Sequence, residues 1–127
     1  MIKFKEIRLY PSLFYLDIFI TKDLKALREI FNERYGLDED GFYGTQINEV
    51  GTIDSCKKSL MKGETRIYTI IESIKKSDII VHESQHILDH LNRLTNIDLS
   101  ESSTEWKSMF VEYLFTEITD KNNYKQI

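Results

Sequence analysis

All three histidines of the chain lie within nine residues, at positions 82, 86 and 90. The first two belong to the segment HESQH, which has the pattern H-E-x-x-H. On a helix, residues four apart lie one turn apart along the axis and about 40° apart around it. Two imidazoles in these positions can share one tetrahedral Zn²⁺ at about 2.0–2.1 Å each. The spacing therefore predicts that His82 and His86 are ligands of a zinc ion.

Glu83 lies between these histidines and projects about 100° around the helix from His82. Its carboxylate can there take a proton from a water molecule that the metal has activated. We therefore predict Glu83 as the catalytic residue. The alternative is a solvent-exposed helical face with two ordinary histidines. His90 lies one further turn along, too far to reach the same ion without a bend, so we expect it to be a half-buried or surface residue.

A catalytic zinc site needs a third protein ligand and an open fourth position. The last predicted helix offers three carboxylates, at Glu101, Glu105 and Glu112. We predict Glu105 as the metal ligand because it precedes Trp106, which we expect to anchor the helix. Glu105 can alternatively belong to a capping box, since residues 102–105 read S-S-T-E. Glu112 can orient a ligand histidine through its free ring nitrogen, or it can be an exposed helix carboxylate.

Three strands are predicted in the segments that would position these residues. Residues 10–21 are rich in aromatic and β-branched residues, which is typical of a strand. Residues 46–54 and 65–72 alternate apolar and polar residues, with a turn at Gly63 between them. Together with three helices, these strands predict an α+β domain.

Two helices are indicated by apolar residues spaced three and four apart. The first covers residues 23–31, with Thr21 or Asp23 as its cap and Gly36 as its end. The second runs from residue 77 or 78 to Leu94 and contains the histidines. Its predicted buried face consists of Ile80, Ile87, Leu91 and Leu94.

A third helix is expected to begin near Ser102 or Ser103. Its apolar positions form one broad stripe, which we expect to pack on the core. The stripe consists of Trp106, Met109, Phe110, Tyr113, Leu114 and Ile118. The polar tail over residues 120–127 is expected to be frayed.

Composition narrows the function classes. The 127 residues fit a single domain over 1–127, and the net charge of −4 argues against a nucleic-acid partner. The single Cys56 excludes an intramolecular disulfide framework. No apolar run approaches the roughly 20 residues of a membrane span, and no signal peptide is visible. We therefore expect a soluble cytoplasmic protein, located in the host cytoplasm if a phage encodes it.

The motif His82-Glu83-x-x-His86, followed 19 positions later by Glu105, resembles the gluzincin branch of the zincin metallopeptidases. The stretch TEWKSMFVEYLF is similar to the glutamate helix of small, phage-type, single-domain gluzincins. The resemblance covers about residues 77–119. It implies His82, His86 and Glu105 as zinc ligands, Glu83 as general base, and a small mixed or antiparallel sheet packed on three helices. It also implies an edge strand beside the active helix, for which we select residues 44–50.

The chain departs from this family in two respects. Larger thermolysin-like members follow the ligand glutamate as N-E-x-x-S-D, and here Ser108 is kept but Met109 replaces the aspartate that orients a ligand histidine. The sequence also offers no histidine outside the active helix to stabilise an oxyanion. Tyr113 can take that role, or it can be a core residue.

The leading interpretation is a zinc-dependent metallopeptidase that acts on a peptide or protein. An ImmA/IrrE-type metallopeptidase, which cleaves repressors, is a less favoured variant because its further signature residues are absent. The alternative is a zinc-stabilised binding or regulatory module with a zincin-like fold and weak catalysis. A third possibility is an interaction protein without a metal. Zinc is preferred among the divalent ions that two imidazoles and a carboxylate can hold. The sequence predicts no oligomeric state.

Overall fold

A computed structural model of the chain describes residues 2–9, 14–35, 51–53, 65–95 and 104–127. The strands in these ranges are β1 (Lys3–Leu9), β2 (Phe14–Ile20), β3 (Gly51–Ile53), β4 (Thr65–Ile71) and β5 (Lys125–Gln126). The helices are α1 (Leu24–Tyr35), α2 (Ser77–Thr95) and α3 (Thr104–Thr119). None of these described helices has both the length and the apolar character that a membrane span requires.

The described strands form one sheet in the order β3-β4-β2-β1-β5. The central strands β2 and β4 are parallel, and the other neighbouring pairs are antiparallel. Parallel strands need a crossover connection longer than a hairpin, and the segment between β2 and β4 contains α1. The described residues therefore form an α+β arrangement with a mixed sheet and three helices, which agrees with the predicted fold class.

The two faces of the sheet bury different helices because successive strand residues point to opposite sides. Leu16 and Ile18 of β2 belong to a core cluster with residues of α2 and α3. Phe19, on the other face of β2, belongs to a second cluster with Leu27 of α1. The sheet thus separates α1 from the helix pair that carries the predicted site.

Local signals place α1 and α2 where the sequence predicts them. The amide of Ala26 donates to Asp23 Oδ1 at 3.0 Å, and the amide of Asp23 donates to Thr21 Oγ1 at 2.9 Å. Both predicted cap residues therefore take part in the start of α1. In α2, Ile80, Ile87 and Leu91 are buried, as predicted, and the side chain of Leu94 lies outside the described part of the structure.

The strand β1 is absent from the sequence prediction, although it pairs with β2 along its whole length. Charged residues interrupt its apolar pattern, and one of them, Lys5, is buried. Lys5 Nζ donates to the carbonyl oxygen of Glu117 at 2.6 Å and lies 5.2 Å from the ring centroid of Tyr124. A buried ammonium group satisfied by residues 112 and more positions away leaves no local signal of a strand.

The prediction of a frayed tail is also wrong. Lys125 and Gln126 form β5 on β1, and the amide of Ile127 donates to the carbonyl of Ile2 at 2.9 Å. The hydroxyl of Tyr124 donates to the carbonyl of Ile118 at 2.7 Å, near the end of α3. Long-range backbone pairing therefore orders a segment whose composition is polar.

The predicted apolar stripe of α3 is only partly buried. Leu114 and Ile118 are fully buried, but Trp106, Met109 and Tyr113 remain 44%, 62% and 43% exposed. At 100° per residue the six predicted positions span about half of the helix circumference, and only one side of that wide face packs on the sheet. Trp106 stacks on Phe110 of the same helix and does not anchor α3 in the core.

Some predicted features lie outside the described residues. The edge segment 44–50 is one of them, and β3 covers only the end of the predicted strand 46–54. The others are the helix end at Gly36, the turn at Gly63, Cys56, Glu101 and the proposed start of the last helix at Ser102 or Ser103.

The anchoring of Tyr124 predicts an alkaline loss of stability. Burial, with smaller contributions from Asp120 and Glu117, raises the pKa of Tyr124. The neutral phenol is therefore favoured in the folded state, and its stabilising effect is complete below the ordinary tyrosine pKa of about 10 and is lost as pH rises toward the raised value. Urea unfolding at neutral and alkaline pH measures this loss.

Tyr124→Phe should lower stability by about 1 kcal/mol at neutral pH, because the carbonyl of Ile118 loses its donor. The variant should also be less sensitive to alkaline pH than the parent protein. Tyr15→Phe is the matched control, and it should keep the parent's alkaline sensitivity because Tyr124 is intact. Equal alkaline sensitivity of the Tyr124→Phe variant and the parent would contradict this account.

Candidate metal centre

The helix α2 presents the two predicted histidine ligands on its exposed side, away from its buried core residues. Its core residues Ile80, Ile87 and Leu91 are buried, whereas His82 and His86 are exposed. Successive residues rotate by 100° around a helix, which turns the histidines nearly opposite to the core residues. α2 also contacts β4, β3 and α3, so the histidines lie on a helix that several elements hold in place.

The two imidazoles approach each other closely. The Nε2 atoms of His82 and His86 lie 3.0 Å apart, and the ring planes are inclined by 81° with centroids 4.6 Å apart. This distance suits a hydrogen bond in which one neutral ring donates to the other. It also approximates the roughly 3.3 Å that separates two nitrogens bound to one tetrahedral zinc ion.

Glu83 completes a group of three possible ligands. Its carboxylate and the two histidine rings each offer one atom, and these three atoms lie within 4.8 Å of one another. Glu83 is only 6% exposed, which contrasts with the exposed histidines. Two imidazole nitrogens with a carboxylate oxygen form a donor set that suits a divalent transition metal such as zinc. The residues of this group therefore fit such an ion.

The serine within the histidine segment does not contribute to this group. Ser84 is fully buried on the core side of α2, and its hydroxyl donates to the carbonyl of Ile80 at 2.7 Å. Its hydrogen-bonding capacity is thus directed to the helix backbone. The chemistry of α2 is confined to the side of the helix that bears the histidines.

Glu105, the predicted third ligand, is exposed in the first turn of α3. Within the described part of the chain, the group that meets the 4.8 Å distance contains His82, Glu83 and His86 but not Glu105. The structure therefore brings three of the four predicted site residues together. Glu105 lies on the neighbouring helix, which packs against α2.

The structure shows where Glu112 lies relative to α2, which the sequence did not predict. It lines a groove of about 350 Å³ together with Val81 and Gln85 of α2. These two residues directly precede His82 and His86. Glu112 therefore faces the same turns of α2 that carry the histidines, whereas Glu105 lies about 10.5 Å away from it along the axis of α3. The spacing of seven residues predicts that Glu105 and Glu112 lie on the same face of α3. Only the tertiary packing shows which of them lies beside the turns of α2 that carry the histidines.

Two further sequence predictions concern His90 and Tyr113. His90 is half-buried on α2, as predicted, and is not part of the three-residue group in the described ranges. Tyr113 is not a core residue, since it is 43% exposed. Partial burial and the nearby charge of Glu117 raise the pKa of Tyr113, so its phenol is neutral and able to donate a hydrogen bond at neutral pH.

No protein-family model, curated protein or solved structure matches this chain. A function for this chain is therefore inferred from its residues and from their arrangement. The group formed by His82, Glu83 and His86 is a candidate metal centre, and by itself it does not identify a zincin.

Proposed function

We propose that this protein is a zinc-dependent metallopeptidase with His82 and His86 as metal ligands and Glu83 as general base. The observation that carries the proposal is the convergence of two imidazole nitrogens, 3.0 Å apart, with a buried carboxylate on one helix. Exposed histidines leave access for a substrate, and a buried carboxylate has a restricted position. Both features suit a hydrolytic site.

A zinc ion at this site would supply Lewis acidity, which polarises a peptide carbonyl and lowers the pKa of water toward about 7. Glu83 accepts a proton from the attacking water as the new C–O bond forms. It then delivers that proton to the amine nitrogen as the C–N bond breaks. His82 and His86 must both be neutral to act as ligands, because protonation removes the lone pairs.

A carboxylate of α3 is proposed as the third ligand. Glu105 has this role by the resemblance to gluzincins, and it occupies the first turn of a helix that packs on α2. Glu112 is the alternative, supported by its place in the groove beside Val81 and Gln85. The two carboxylates are distinguished by the metal-binding measurements described below.

The substrate is proposed to be a peptide in extended conformation. Among the described strands β3 lies at one edge of the sheet, and it contacts the helix that carries the histidines. An edge strand can pair with an added peptide strand through backbone hydrogen bonds, independently of most side chains. This arrangement would present a peptide carbonyl near α2.

A zinc-stabilised module without efficient turnover is a second candidate. The exposed position of Glu105 outside the three-residue group favours it, because a site lacking a firm third ligand binds substrate and water less specifically. In this case the ion would be held by residues of α2 and would stabilise that helix and the surface it presents.

Zinc content and peptide hydrolysis, measured on one sample prepared without a polyhistidine tag, test the proposal. We expect about one zinc per chain, and cleavage of a peptide library that stops with a chelator and returns with added zinc. Zinc without cleavage would favour the second candidate. Protein that contains no zinc and takes up none would contradict both.

A further inference from the structure

A second cavity, of about 550 Å³, lies at the carboxyl ends of the parallel strands β2 and β4. Its described lining residues include Thr21 after β2 and Ser73 after β4, and none of the three residues of the metal group. The volume falls within the range of small-molecule sites. Crevices outside the carboxyl ends of parallel strands are frequent ligand sites, because loops and helix starts meet there. The position of this cavity therefore suggests a ligand site.

Four lysines line this cavity, and they come from four different segments. Lys3 belongs to β1, Lys22 precedes α1, Lys75 precedes α2 and Lys121 follows α3. Their side chains are exposed at the cavity rim. The chain as a whole has a net charge of −4, so a cluster of four cations is a local reversal of the overall charge. Clustered like charges repel one another, and a bound anion would relieve that repulsion.

The two carboxylates in the lining offset this positive charge only in part, because the lining contains four lysines and Glu72 is already paired with a further lysine. Asp23 accepts a hydrogen bond from the amide of Ala26 as the cap of α1. Glu72 pairs with Lys76 at 2.8 Å, and Lys76 is not among the lining residues. The hydrogen bond and charge of Lys76, and less strongly Lys22, lower the pKa of Glu72. The cavity thus keeps an excess of ammonium groups.

The remaining lining is apolar and aromatic. Ile20 and Ile74 contribute aliphatic surface, and Tyr124 contributes its ring. The Tyr124 hydroxyl is committed to the carbonyl of Ile118, and Lys5 Nζ lies 5.2 Å from the ring centroid, so the orientation of this ring is set by the protein. A fixed ring beside aliphatic side chains suits a flat, weakly polar group of a ligand.

We propose that this cavity binds an organic phosphate with a flat apolar body, of which a nucleoside monophosphate is the simplest example. The lysines at the rim bind the phosphate, and the floor of Ile20, Ile74 and Tyr124 holds the planar group. The inference is independent of the metal site, because the two sets of residues do not overlap.

Calorimetric titration of the full chain with AMP, adenosine and inorganic phosphate at physiological ionic strength tests this proposal. AMP should bind with submillimolar affinity, and adenosine and inorganic phosphate should each bind at least about tenfold more weakly, since each lacks one half of the recognised chemistry. Absence of AMP binding would overturn the proposal. Adenosine binding as tightly as AMP would overturn the role of the lysines.

Lys22→Ala and Lys75→Ala should each weaken AMP binding by about tenfold or more, because each removes a charge-assisted contact to phosphate. Lys107→Ala is the matched control, since it removes the same charge from a lysine of α3 that does not line the cavity. The His82→Ala variant should bind AMP like the parent, so that failure of this proposal can be distinguished from failure of the metal proposal. An equal loss in the Lys107→Ala variant would overturn the specific site.

Discussion

If the proposed function is correct, replacement of His82 by alanine should abolish zinc binding. The two Nε2 atoms lie 3.0 Å apart, so each imidazole would supply one of two adjacent coordination positions in the proposed zinc site. Removing residues that merely support a ligand lowers metal affinity by about 10–100-fold, and loss of a ligand should exceed the upper end of that range. Competition with a chromophoric chelator measures the zinc affinity, and elemental analysis of untagged protein measures the bound zinc.

His90→Ala is the matched control for this substitution. It removes the same side chain from the same helix, one turn beyond His86 and outside the three-residue group. Its zinc affinity should equal that of the parent, and circular dichroism should show both variants folded. Parent-like zinc affinity in the His82→Ala variant would remove the basis of the proposed function.

The same chelator competition distinguishes the two carboxylates of α3. Glu105→Gln and Glu112→Gln each remove a negative charge at an exposed position with little change of shape. The variant that loses zinc affinity identifies the third ligand. If neither does, the protein ligands are confined to α2, and Glu83 with its nearby carboxylate becomes the third donor.

Glu83→Gln should retain zinc and lose turnover. Glutamine has nearly the same volume as glutamate but cannot accept a proton from water, and a general base contributes about 10²–10⁴-fold to the rate. The expected result is therefore unchanged zinc affinity with peptide hydrolysis reduced by that factor. Steady-state cleavage of a peptide identified from the library, at fixed zinc concentration, measures the effect.

Glu29→Gln is the matched control, since it makes the same change at an exposed position on α1, on the other side of the sheet. Glu83 is only 6% exposed, so thermal unfolding must show that the variant is folded. Parent-like hydrolysis by the Glu83→Gln variant would exclude the general-base role. Loss of zinc together with activity would instead identify Glu83 as a metal ligand.

Structural features that depend on residues close together in the chain were predictable from the sequence. The cap of α1 at Thr21 and Asp23 follows from side chains that bind amides two and three positions away. The core face of α2 follows from a periodicity that any helix imposes. The proximity of His82 and His86 has the same origin, because a spacing of four residues places two side chains on the same side of an α-helix, one turn apart.

Tertiary packing decides which part of the wide apolar face of α3 is buried. Local periodicity predicted that Trp106, Met109 and Tyr113 would be buried, yet all three remain exposed. A helix has room for only part of such a face against a sheet, and the contacts available from the strands select which part is buried. The sequence of residues 104–119 alone does not indicate which of these apolar residues are buried.

The sequence by itself determined the spacing of His82 and His86 on α2 and the types of the main helices and strands, because each of these follows from the pattern within one segment. Only the tertiary structure decided that Lys5 is buried beside Glu117, that β5 joins β1, and that Glu112 shares a groove with Gln85. These contacts join residues far apart in the chain, and their free energy depends on the arrangement of whole elements. The sequence pattern of one helix or strand therefore does not indicate which other element packs against it.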